Sequence, residues 1–225
     1  DLPFDCSIIT SNENRENSDF DFSIPMELVP DKYLCSSVEF EFSKSEKNAV
    51  KSSGQNIKIS DNAEKIYFIC ASLGGDKTTQ FMVDGEDVDR RVNAIDENFA
   101  QWDLYDLKDT AKIKEGSLAI EFTHSHSKDA DLYAKGAHFY LVSLNVKGAK
   151  IVSLPADNDI VIIAASEAVN TENGYLATEI LDKVNEKEYD FGLGFADLIR
   201  YYFCRNVFML YDKDGFIKDR NRGRR

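Results

Sequence analysis

Four cysteines, four prolines, three histidines and one tryptophan are all that 225 residues provide of these types. Each shortage excludes something. Cys6, Cys35, Cys70 and Cys204 are far apart and form no C-x-x-C pair. A disulfide scaffold and a zinc knuckle both need denser spacing. Cys70 lies inside an apolar run and reads as a small core residue. Free thiols in a reducing, cytoplasmic compartment are the expectation. The longest apolar stretches, Ile66 to Ala71 and Ile160 to Ala165, are strand-length, well below the roughly 18 residues of a membrane helix. No basic segment followed by an apolar one marks a secretory leader. No G-x-S-x-G elbow, P-loop or G-x-G-x-x-G fingerprint occurs, and Gly192-Leu193-Gly194 lacks the third glycine. Positive charge is also scarce, with 27 Lys and Arg against 40 Asp and Glu, a net charge of −13. Such a chain repels nucleic acid and anionic membranes as a whole. The exception is Lys213 to Arg225, six basic residues and two acidic, read as a solvated basic tail.

What the chain does have is core material: 43% of its residues are hydrophobic and 12% aromatic. Residues 1–23 are polar and irregular, which reads as loop. From Ser37 the period is two, Val38, Phe40 and Phe42 alternating with polar neighbours, as in a half-buried strand. Lys65 to Ser72 is nearly continuous apolar, with β-branched and aromatic residues, and reads as a central strand. Thr78 to Val83 and Val88 to Ala94 flank Asp84-Gly85, a hairpin signal. Leu118 to Thr123, Ala137 to Val146, Ile151 to Leu154 and Ile160 to Ala168 continue the series. Short strands punctuated by turns, without βαβ alternation, predict a mainly β protein with an antiparallel, jelly-roll-like sandwich over residues 1–169. Helical spacing in Tyr175 to Val184 and Asp197 to Leu210 predicts a helical appendage over 170–225.

Three groups of residues could carry chemistry. His124-Ser125-His126 places two imidazoles on one face of a strand, as a metal site needs, with Asp129, Asp131 or His138 available to complete a zinc site. The competing reading is a strand end whose histidines hydrogen-bond their neighbours. Asp84, Glu86, Asp87 and Asp89 crowd one turn, as in calcium loops, but without the EF-hand spacing, and they read as a solvated hairpin tip in preference to a calcium site. Trp102, with Tyr105, Gln101 and Asp76, could stack and hydrogen-bond a sugar; the competing reading is a tryptophan packed between sheets. No residue pattern builds a catalytic centre.

The order of short segments carries one further signal. Phe20 to Pro30 leads to Asn48-Ala49-Val50, Gly54-Gln55, Ile66 to Ser72, Gly75-Asp76 and Phe81-Met82-Val83-Asp84-Gly85. Gln101-Trp102-Asp103, Thr123-His124-Ser125-His126, Tyr140 and Leu154-Pro155 follow. This series resembles the C-terminal β-sandwich region of bacterial family 38 glycoside hydrolases, the α-mannosidases, and in its first part the galactose-binding-like jelly rolls. The resemblance spans residues 18 to 168. It implies a non-catalytic accessory sandwich whose partner is a catalytic domain of the parent enzyme, with glycans as further partners. That family's zinc site and nucleophile lie in a different domain, whose motif has no counterpart here, so the resemblance implies no cofactor in this chain. A stand-alone carbohydrate-binding module using Trp102 and Tyr105 is the alternative.

Overall fold

The computed structural model describes residues 2–96, 115–132 and 136–169, together with the backbone of 100–102 and 111–113. The region expected to be a helical appendage lies outside the described residues. Along the chain run β1 (Ile9–Thr10), β2 (Ile24–Pro25), β3 (Lys32–Cys35), β4 (Val38–Glu41), β5 (Val50–Lys51) and β6 (Asn56–Lys58). Then come β7 (Lys65–Ser72), β8 (Lys77–Val83), β9 (Glu86–Val92), β10 (Ala100–Trp102) and β11 (Ala111–Ile113). The series closes with β12 (Leu118–Phe122), β13 (Ser125–His126), β14 (Asp131–Leu132), β15 (Ala137–Asn145), β16 (Ile151–Ser153) and β17 (Ile160–Ala168). Short 3-10 turns at Arg15–Asn17 and Met26–Leu28 are the helical elements among the described residues. The β10–β11 hairpin belongs to a second compact unit and is taken by itself: Gln101 pairs with Lys112 and Trp102 with Ala111.

Five antiparallel strands, in the order β12-β15-β7-β17-β5, form the central sheet. Four more, in the order β6-β16-β8-β9, form a second antiparallel sheet. The two share one hydrophobic core. Ile66, Phe68 and Cys70 of β7 meet Ile57, Phe81 and Val152 of the second sheet there. Phe68 stacks on Phe81 with ring centroids 5.5 Å apart. The other face of β7, Tyr67, Ile69 and Ala71, belongs to a second core, which Ile8, Ile24 and Phe40 close from the N-terminal segment. The central sheet is therefore covered twice. This explains the sequence pattern directly: β7 is buried along nearly its whole length, whereas β4, β6 and β8 alternate buried and exposed.

The N-terminal segment is irregular, as expected, but it is not a solvated loop. Ile8, Ile9 and Ile24 are fully buried, and β1 and β2 pair in parallel. Asn48 fixes this segment in place of a ladder. Its side-chain Oδ1 accepts hydrogen bonds from the Ile8 and Ile9 amides at 3.0 and 2.9 Å, and its Nδ2 donates to the Ile9 carbonyl at 2.8 Å. The carboxamide thus supplies both donor and acceptor to a buried backbone that has no neighbouring strand on that side.

Two irregularities set which side chains face which core. In β17 the register with β7 shifts between Ile162 and Ala164, so Ile163 has no partner. Ile163 and Ala164 then both face the N-terminal core, although consecutive strand residues otherwise alternate. In β12 the shift falls between Leu118 and Ile120, and Ala119 and Ile120 likewise share one core. Tyr33 of the β3–β4 hairpin donates its hydroxyl to the Ala119 carbonyl at 2.6 Å. The hairpin cover is thereby tied to the irregular point of the central sheet.

The Asp84-Gly85 hairpin is present as read. Val83 pairs with Glu86, and the two turn residues have φ of 48° and 87°. Both left-handed positions are those a two-residue type I′ loop requires.

Replacing Asn48 by Ala leaves two buried amides without acceptors, each costing about 1–3 kcal/mol. The expected result is a lower urea midpoint and faster hydrogen exchange at the Ile8 and Ile9 amides. Tyr33→Phe removes one hydrogen bond and should cost about 1 kcal/mol by the same measurement.

Candidate functional site

The residues proposed from sequence separate once placed. Asp76 is committed to the fold. Its Oδ1 accepts the Ala94 amide at 2.8 Å, and its Oδ2 lies 3.2 Å from the Arg91 guanidinium. The carboxylate closes the turn after β7 onto the segment after β9. Gln101 and Trp102 lie on β10 with their backbone alone described, and Tyr105 lies outside the described residues.

The acidic hairpin also divides. Asp84 accepts from the Lys150 and Ile151 amides at 3.0 and 2.9 Å, which ties the β8–β9 turn to the start of β16. These hydrogen bonds from the Lys150 amide, then the Ile151 amide, lower its pKa. Glu86, Asp87 and Asp89 are exposed along β9. Cys70 is fully buried and its thiol is pushed up to about 12 by burial, as a core residue should be.

The histidines give the clearest convergence. Among the described residues, His124, His126 and Asp131 form a group whose possible ligand atoms all lie within 4.8 Å of one another. The hairpin of β13 and β14 creates it: His126 is paired in register with Asp131. From the other side, Ser23 exchanges both backbone hydrogen bonds with His126, at 2.9 and 2.8 Å. His126 is therefore held between β14 and the start of β2. The two imidazoles lie with centroids 5.9 Å apart, on the same side as the H-x-H spacing requires.

Three residues that the sequence did not single out complete the surroundings. Glu27, on the turn after β2, brings Oε1 to 3.7 Å from His126 Nε2. Arg15 places Nη2 2.7 Å from Asp131 Oδ1. Asn12 donates to Glu27 at 3.0 Å and accepts from Arg15. These come from the N-terminal segment, distant in sequence, and no spacing rule connects them to the histidines. Burial lowers the pKa of His126 most, Arg15 adds to this, and Glu27 and Asp131 oppose it. The direction keeps the ring neutral near pH 7.

His138 and Asp129 stand outside this group. His138 is a structural histidine, with Nδ1 3.2 Å from the Ile95 carbonyl and Nε2 3.3 Å from Glu121. Apart from these clusters, an open cleft of about 360 Å³ has an apolar floor of Phe20, Phe22, Leu73 and Ile95. Asp21 and Asp96 stand on its rim.

The commitment of Asp84 to backbone amides yields a prediction. Its depressed pKa gives stability that is full above the ordinary carboxylate value and is lost as pH falls through the folded value. Asp84→Asn should flatten the acid limb of a urea-midpoint-against-pH profile, and added calcium should leave the wild-type thermal midpoint unchanged.

No curated protein matches the chain. The AziU2-like beta-sandwich domain family matches residues 1–171, the same stretch that contains the central sheet, the second sheet and the histidine group. By that match over most of its length, the chain belongs to the AziU2-like beta-sandwich domain family.

Proposed function

We propose that this chain is a non-catalytic accessory β-sandwich, whose contribution to its protein is contact and binding. One observation carries the reading. Both faces of the central sheet are consumed by its own cores, so the polar groups that converge do so in turns and hairpins at its margin. The order of motifs along residues 18 to 168 supports a finer version, in which the partner is the catalytic domain of an α-mannosidase-like glycoside hydrolase. The family match supports the sandwich and carries no statement about the partner.

A second reading is carbohydrate binding. The cleft floored by Phe20 and Phe22 favours it, because aromatic faces suit the apolar face of a pyranose and the rim carboxylates of Asp21 and Asp96 accept hydroxyl hydrogen bonds. Trp102 and Tyr105 remain the alternative stacking pair.

The full chain should show no turnover of a nitrophenyl α-mannoside, with or without zinc. Measurable hydrolysis overturns the accessory reading. Calorimetric titration with mannose and galactose tests the second. Weak binding that disappears in Asp96→Ala locates it at the cleft; loss in Trp102→Ala locates it on β10. Flat titrations retire sugar binding.

A further inference from the structure

We infer that His124, His126, Asp131 and Glu27 form a binding site for one divalent first-row transition-metal ion of the zinc type. The reasoning begins with an imbalance at His126. The residue is 1% exposed, and neither ring nitrogen has a hydrogen-bond partner among the described residues. Leaving a buried polar group unpaired costs about 1–3 kcal/mol, so folds rarely tolerate it without a use.

His138 is an internal control. It is equally well buried, and both its nitrogens lie within 3.3 Å of an oxygen. The same fold therefore satisfies one buried histidine and leaves the other open. His126 is surrounded at a different range. Asp131 Oδ1 stands 3.5 Å from its Nε2, and Glu27 Oε1 stands 3.7 Å from it. Both are slightly too far for a direct hydrogen bond. Donors that share a tetrahedral ion at zinc distances are separated by about 3.3 Å. His124, His126 and Asp131 bring their ligand atoms within 4.8 Å of one another, and Glu27 approaches this group through His126 Nε2.

The donor set selects the class of ion. Two imidazoles and carboxylate oxygens suit zinc and its neighbours, whereas calcium and magnesium favour all-oxygen sites. The supports are also in place. Thr123 Oγ1 is 3.1 Å from His124 Nδ1, Arg15 holds Asp131 at 2.7 Å, and Asn12 holds Glu27 at 3.0 Å. Partners of this kind orient ligands before the ion arrives. Two carboxylates against one guanidinium leave the site net negative while the imidazoles are neutral. With Glu27 joining the three convergent ligands as the fourth, the set describes a closed, structural site. An ion there joins the turn at Met26–Leu28 to the β13–β14 hairpin, so it fastens the N-terminal cover to the rest of the sandwich.

The test uses the full chain, stripped with a chelator. Zinc is titrated against a competing indicator, and cobalt(II) is used as a spectroscopic probe. The expected result is one zinc per chain, a raised thermal midpoint on binding, and a cobalt spectrum without the near-ultraviolet band of thiolate ligation. His124→Ala and Glu27→Gln alter groups that are partly exposed and should fold, which a buried His126 variant need not do. Each should weaken zinc binding about tenfold or more. Asp131→Asn should do the same, while His138→Asn should not. Absence of stoichiometric binding overturns the proposal. So does binding that is unchanged in His124→Ala and Asp131→Asn, or a cobalt spectrum showing thiolate ligation.

Discussion

A sheet that is apolar on both faces has to be covered twice, and the rest of this structure follows from that constraint. One cover is another sheet, joined by ordinary sandwich packing around Phe68 and Phe81. The other is made from segments too irregular to form a full sheet. Their backbone groups need partners as much as any strand's do. Asn48 provides them for Ile8 and Ile9, and Tyr33 provides one for Ala119. The polar residues of this cover thus stand in for ladder hydrogen bonds.

Much of this was legible in the residues. The contrast between the unbroken apolar run Ile66 to Ala71 and the alternation Val38, Phe40, Phe42 separates a middle layer from an outer one. Asp84-Gly85 marks a hairpin turn by its chemistry. What was not legible has physical reasons. Ile8, Ile9 and Ile24 show no period, because a side-chain amide and isolated bridges fix them where a regular strand would have a ladder. The extra residues Ala119 and Ile163 look like any other strand residue, since a bulge is a matter of pairing and not of composition. Residues 1–23 therefore read as loop although part of them is core.

The histidine site was partly legible for the same kind of reason. The H-x-H spacing is local, and a strand turns it into a shared face. Asp131 was within reach as the residue opposite in a short hairpin. Glu27, Arg15 and Asn12 join only through the fold, by way of the reciprocal bonds between Ser23 and His126. Asp76 went the other way. Asp76 was grouped with Trp102 as a sugar contact, and in the fold it bonds the Ala94 amide and Arg91. The motif order pointed to a sandwich, and the family match supports that architecture.

The position of β17 has a consequence for how the chain reaches this state. It lies between β7 and β5, although it is the last of the described strands to be synthesised. Until it arrives, β7 has an open edge, and the apolar faces of β5 and β7 have no shared layer. Completion of the sheet is thus a long-range event, of the kind that slows folding because distant segments must meet first. A nascent chain carrying β7 but not β17 presents an unpaired, hydrophobic edge suited to the wrong strand. The period between those two strands on the ribosome is when this domain has most need of protection.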